Sequence, residues 1–243
     1  MPLLCTLPPS SPAELLAWDD ALLNATEEGG PEALWFWEAS KPFVVVGYGQ
    51  EIVREVDEAA CLRREVPILR RCSGGGTVVQ GPGCLNYGLT LRITDSGPLT
   101  TITGTNRWIM ERNRRALAAA SGHEVVVRGH TDLAQVTVTG EKKFSGNAQR
   151  RKRSALLFHG TILLDFDLEL IAELLRFPSA QPDYRRDRDH LDFIANTALT
   201  ADAVMMALRS EWDAETAYPA PPTEAVRIAV AARYGRDEWH RRR

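Results

Sequence analysis

The order of apolar and polar positions divides the chain into helical and extended stretches. Ser11-Pro12-Ala13-Glu14 opens a helix: Ser11 supplies a cap, Pro12 sits where its missing N–H costs nothing, and Glu14 completes a capping box. That helix is expected to run to about Glu28, where Gly29-Gly30 stops it. Two apolar runs follow, 34–37 and 43–46, with the turn residues Ser40-Lys41-Pro42 between them, which predicts paired strands. Residues 56–64 suit a short helix; 67–71 and 77–80 read as extended arms around a glycine-rich turn, and 85–93 returns as a further strand. The longest helical pattern covers 100–121, with Ile102, Ile109, Leu117 and Ala120 near one face and arginines on the other, and Gly122 ends it. Residues 124–128, 133–139 and 155–164 are strand-like, the last two separated by a polar segment. Helices are expected at 168–175, 201–212 and 223–234, the last two joined by the proline-bearing 218–222. With no repeat and no low-complexity tract, the pattern predicts one α/β (α+β) domain over 1–243, with mixed sheets flanked by helices.

Composition narrows the class. At 243 residues, 44% hydrophobic and 25% charged, the chain can bury a core of ordinary size. It has no apolar run of membrane-spanning length, and its first residues lack the basic start of a signal peptide. Cys5, Cys61, Cys72 and Cys84 show neither CxxC metal spacing nor a dense disulfide framework, so a reducing cytoplasm and no protein-held metal are expected. A net charge of −3 gives no case for nucleic acid.

Four segments carry candidate chemistry. In Arg70-Arg71-Cys72-Ser73-Gly74-Gly75-Gly76-Thr77, the glycines let backbone N–H groups come close to a ligand, and the arginines add forked donors suited to carboxylate or phosphate. A hairpin turn with solvated arginines is the ordinary alternative. In Glu141 to Arg150, read as a loop between strands, Lys143 can hold a compact charge against an acyl or phosphoryl oxygen; a solvated basic hairpin is the plainer reading. His159, in Phe158-His159-Gly160-Thr161, is either a satisfied core residue or a site residue. Asp132, after Gly129-His130-Thr131, either accepts from a ligand amine or ribose hydroxyl or caps its turn.

Taken together and in order, these segments resemble the biotin/lipoate A/B protein ligase family, on its lipoate ligase A and octanoyltransferase branch. The resemblance rests on the Arg70–Val78 stretch, Gly83-Cys84-Leu85-Asn86-Tyr87, Asp132-Leu133, the Lys143–Arg150 stretch, and the run from His159 to Leu164. It implies a single catalytic domain with an acyl-binding tunnel, like that of lipoate and biotin ligases; the C-terminal accessory domain that such ligases often add is not expected here, a departure from the pattern. By the same resemblance Lys143 is the catalytic lysine, touching the acyl carbonyl and the α-phosphate. Arg71, Ser73, Gly74, Gly75 and Gly76 are implied to contact acyl and phosphate groups. Asp132, Ser145, Gly146, Arg150, His159, Gly160 and Thr161 complete the acyl and adenylate site, with Arg150 on the nucleotide side.

The branch divides by chemistry. Ligases activate a free acid with ATP and Mg²⁺ to an acyl adenylate, whereas transferases take the acyl group onto a cysteine. The family's transferase cysteine normally lies after the lysine, and this chain has none beyond Cys84, so ATP-dependent attachment of lipoate or octanoate is expected. Octanoyl or lipoyl transfer without ATP, through Cys72 or Cys84, is the alternative; a non-catalytic binding homologue is a third that the retained Lys143 argues against. The implied partners are a lipoyl carrier domain, such as the glycine-cleavage H protein or a dehydrogenase E2, and a separate accessory-domain subunit.

Overall fold

The computed structural model describes residues 1–242. Its strands are β1 (Leu3–Cys5), β2 (Ala33–Glu38), β3 (Phe43–Val46), β4 (Ile68–Arg70), β5 (Val78–Gln80), β6 (Cys84–Arg92), β7 (Val125–Arg128), β8 (Asp132–Thr137), β9 (Gly140–Arg151) and β10 (Ala155–Leu163). Its α-helices are α1 (Pro12–Glu27), α2 (Ile52–Glu55), α3 (Glu58–Arg63), α4 (Ile102–Ser121), α5 (Glu169–Leu174), α6 (His190–Phe193), α7 (Ala201–Trp212), α8 (Thr223–Ala229) and α9 (Asp237–His240). Seven strands form one sheet in the order β1-β2-β6-β10-β9-β8-β7, and three form a second in the order β4-β3-β5. The mixed α/β class expected from the sequence is therefore present.

Local signals act as the sequence suggests. Ser11 accepts from the Glu14 backbone while the Glu14 carboxylate accepts from Ser11, and α1 starts at Pro12. Gly122 adopts the left-handed conformation (φ 65°) that ends α4. β6 and β10 hold the middle of the large sheet, and nearly all their residues are buried, polar ones such as Asn86 and Thr90 included. α1 lies against both of them and against α8 on its far side, so it is buried almost all round.

Three expectations are corrected. β2 and β3 do not pair: β2 joins β1 and β6, while β3, all four of whose residues are buried, becomes the centre of the small sheet. The extended arms around the glycines are not a hairpin either. β3 lies between them, parallel to β4 and antiparallel to β5, so the glycine-rich segment crosses the end of β3. The polar stretch 141–150 is not a loop but most of β9, paired to β8 and β10 along its length. Part of its polarity reflects what it faces: Lys143, Ser145 and Asn147 line a cavity, while Glu141, Gln149 and Arg150 bond to neighbouring elements. At the C-terminal end, α8 passes into a wider π turn at Val230–Tyr234. Among the described residues no helix is long and apolar enough to cross a membrane.

Candidate functional site

A cavity of about 790 Å³ opens where the small sheet and the glycine-rich segment meet β9 and β10. That is within the ~300–1,000 Å³ usual for small-molecule sites. Leu16, Trp37, Val45, Val79, Leu163 and Ile171 supply apolar wall. The polar wall is built from residues nominated above: Lys143, Ser145 and Gly146 of β9, Asp132 of β8, and His159, Gly160 and Thr161 of β10. Arg71, Gly75 and Gly76 enter from the glycine-rich segment. Ser73, Gly74 and Arg150 do not line the cavity.

Lys143 is aimed by an irregularity in the sheet. Pairing of β8 with β9 slips by one residue between Leu133 and Ala134, leaving Phe144 without a cross-strand partner. The slip brings Lys143 to the same side as Gly146, which a regular strand would place opposite. Lys143 Nζ lies 2.8 Å from Asp132 Oδ1, and Tyr184 donates to Asp132 Oδ2 at 2.7 Å. Space for that ion pair exists because Gly146 has no side chain: a Cβ there would stand 3.0 Å from Nζ and 3.1 Å from Cε. The ammonium also sits 5.8 Å from the centre of the Phe193 ring. The result is a compact cation, steadied by one carboxylate, at a wall that an acyl or phosphoryl oxygen can reach.

The glycine-rich segment is held from within. Arg71 Nε donates to Ser73 Oγ (3.0 Å), and Nη2 donates to the carbonyls of Gly74 (2.6 Å) and Gly76 (2.7 Å). Burial pushes this guanidinium down to about 10. Arg71 thus shapes the segment and is committed to its own loop, beyond the ligand-contact role that the resemblance implies. Gly75 has φ +86°, a conformation side chains rarely adopt, and a Cβ there would be 3.0 Å from Arg71 Nη2. Arg70, also buried, is bound by the chain's end: its N–H donates to His240 Nδ1 (3.0 Å), its Nε to the His240 carbonyl (2.9 Å), and Trp239 donates to its carbonyl (2.9 Å).

Sequence reading missed Tyr184, Phe193 and Gln80 in this wall, and also Asp19. Asp19 Oδ2 lies 2.6 Å from His159 Nδ1, and His159 Nε2 lies 2.6 Å from Ser73 Oγ. His159 is therefore engaged at both nitrogens while it lines the cavity, so the core and site readings both describe it. The signal available was the acidic pair Asp19-Asp20 inside the apolar stretch Leu15 to Leu23, since unpaired charges are not buried in a helix at random. Asp20 accepts from Arg150 Nη1 (3.0 Å) and pairs with Arg233, which draws Arg150 away from the cavity. Thr161, Gln80 and Asn86 close a ring of hydrogen bonds in the wall. Asn147, hydrogen-bonded to Tyr87, fills the space left by Gly160.

None of the four cysteines lines the cavity, and all are buried. Burial pushes the thiols of Cys5, Cys61 and Cys72 up to about 11 and that of Cys84 higher still. The arginines beside Cys72 do not reverse this. Among the described residues no group of three His, Cys, Asp or Glu is arranged to hold a metal.

Residues 11–208 match the family model of the lipoyl protein ligase A/B catalytic domain. An octanoyltransferase LipM from Oceanobacillus iheyensis is 28% identical over 190 residues, covering 73% of this chain and 69% of that protein. Subunit 1 of lipoate-protein ligase A from Thermoplasma acidophilum is also 28% identical, over 169 residues, covering 67% of this chain and 62% of the relative. Among solved structures, the bi-partite lipoate protein ligase of an archaeal lipoylation system from Thermoplasma acidophilum, described with its E2 lipoyl domain, superposes with a TM-score of 0.82. At 22% identity over 99% of this chain and 96% of that one, this likeness shows the fold.

Proposed function

Since this chain belongs to the lipoyl protein ligase A/B catalytic-domain family, we propose that it attaches lipoate or octanoate to a lysine of a carrier domain through an acyl adenylate made from ATP. The family places it in lipoate and octanoate attachment; the activation route is the proposal. One observation carries it: a cavity with a poised lysine and no thiol. Transfer through a thioester needs an accessible, ionisable cysteine, and each cysteine here is buried and driven toward the neutral thiol. In the ligase route no protein nucleophile is needed. Lys143 holds charge developing on the acyl and phosphoryl oxygens, and loop backbone of the glycine-rich segment lies close to the reacting carbonyl.

Mg²⁺ would enter with the phosphates of ATP, because that ion keeps water and substrate oxygens and asks for only one or two carboxylates. Besides Asp132, which pairs with Lys143, Glu55 and Asp183 are carboxylates on the cavity wall that would supply one. The partner is a lipoyl domain of a dehydrogenase E2 or a glycine-cleavage H protein. Because the Thermoplasma ligase is bi-partite, a separate accessory subunit is included in the proposal.

The octanoyltransferase relative supports a second reading, acyl transfer from a carrier without ATP. Identity does not choose, since the transferase and the ligase subunit stand at the same 28%. Pyrophosphate release does. With lipoate or octanoate, ATP and Mg²⁺ but no carrier, an adenylate-forming enzyme releases pyrophosphate in step with acid added. No release, with or without an added accessory subunit, refutes the ligase route.

A further inference from the structure

We propose that Asp19 and His159 are positioning residues that act through Ser73 on the glycine-rich segment, fixing the shape in which it receives the acyl group. This rests on the acyl-attachment reading above. Between the end of β4 at Arg70 and the start of β5 at Val78, the segment lies outside both sheets. Its form must come from other bonds, and side chains supply most of them. Arg71 ties the carbonyls of Gly74 and Gly76, and Ser73 ties Arg71. His159 ties Ser73 to β10, and Asp19 ties His159 to α1.

The proton positions follow from what each group can do. An arginine only donates, so Ser73 Oγ accepts from Arg71 Nε. With Asp19 as a carboxylate, which only accepts, and His159 as a neutral imidazole, the proposed chain has Nδ1–H donating to Asp19 and Nε2 accepting the Ser73 proton. Asp19 is 1% exposed, and its other oxygen, Oδ1, has no protein partner among the described residues, so His159 is where this carboxylate's hydrogen bonding goes. The order resembles a nucleophile, base and orienting acid. Yet Ser73 is 1% exposed and does not line the cavity, so its hydroxyl is not offered to a substrate. The chain fixes a tautomer and, through it, a loop.

The test uses the intact protein labelled with ¹⁵N-histidine. Proton–nitrogen correlation spectra should show His159 as the Nδ1–H tautomer, with that proton far downfield and slow to exchange; His159→Gln assigns the signal. Asp19→Asn should remove it, and Asp19→Asn and Ser73→Ala should each lower kcat about 10–100-fold, as far as a lost buried hydrogen bond reaches when it is felt in the transition state. KM for the acid should change little, and Ser73→Thr should recover part of the loss. A structural role alone would lower the melting temperature and leave kcat of the folded fraction unchanged. His159 found as the Nε2–H tautomer, or a folded Asp19→Asn protein with parental kcat, overturns the proposal. If the parent acylates no carrier while the downfield proton behaves as described, the acyl-attachment reading fails and the hydrogen-bond chain stands.

Discussion

Replacing Gly146 with alanine should impair catalysis without unfolding the protein. The added Cβ would lie 3.0 Å from Lys143 Nζ and 3.1 Å from Cε, whereas ordinary contacts start near 3.4 Å. Neither atom is backbone; both end a flexible side chain, so the lysine moves and the strand stays. The shift required is a few tenths of an ångström, enough to lengthen the 2.8 Å pair with Asp132. A misplacement of about 1 Å at a reacting group costs up to about 10²-fold in rate, so the smaller shift of Gly146→Ala should lose roughly three- to tenfold in kcat. Stability should barely change. Losing much of a partly exposed ion pair costs about 0.5–1 kcal/mol, and alanine in place of strand glycine returns about the same. Single-turnover acylation of an apo carrier reads the rate, and thermal unfolding reads the fold. Gly146→Val should be worse in rate, since its larger side chain presses on the same ammonium. Parental rates in both variants would show that the Lys143–Asp132 geometry is not part of the chemistry.

Other outcomes follow from the same structure. Lys143→Ala should lower turnover about 10²–10³-fold with the fold kept, and Lys143→Arg should recover only part, since a planar fork does not replace a point charge beside Asp132; steady-state kinetics and circular dichroism check both. Gly75→Val should cost about 1–3 kcal/mol as well as ligand binding, because φ is +86° and Arg71 stands against the new side chain; melts with and without lipoate separate the two effects. With Cys72 raised to about 11, only ~10⁻³ of it is thiolate at pH 8, against about a quarter for a free thiol, so iodoacetamide should label the native protein at least about a hundredfold more slowly than the unfolded one.

Much of the fold was legible because its signals are local. The capping box of α1, the glycine that ends α4 and the apolar runs of β6 and β10 act through neighbours in sequence. Pairing was less legible, since β3 takes its partners from either side of the glycine-rich segment and nothing in the run Phe43 to Val46 names them. β9 reads as a loop from sequence because its polar side chains answer to distant partners: Lys143, Ser145 and Asn147 to the cavity, Gln149 to α4 and Arg150 to α1. Lys143, His159 and the glycines came from motif order. Arg150 did not reach the cavity, because Asp20 on α1, 130 positions away, claims it. Asp19 was missed for the same reason: its partner, His159, is 140 residues distant, on the strand β10 that α1 packs against.

The central claim, acyl attachment through ATP rather than through a cysteine, meets its most direct test in intact-mass spectrometry of two mixtures. One holds the protein with an apo lipoyl domain, lipoate or octanoate, ATP and Mg²⁺; the other holds it with an octanoyl-carrier and no nucleotide. The account predicts one acyl mass on the apo domain in the first mixture, unchanged when all four cysteines are replaced by alanine, and no adduct on the protein in the second. An octanoyl adduct formed without ATP, and lost in Cys72→Ser or Cys84→Ser, would contradict it.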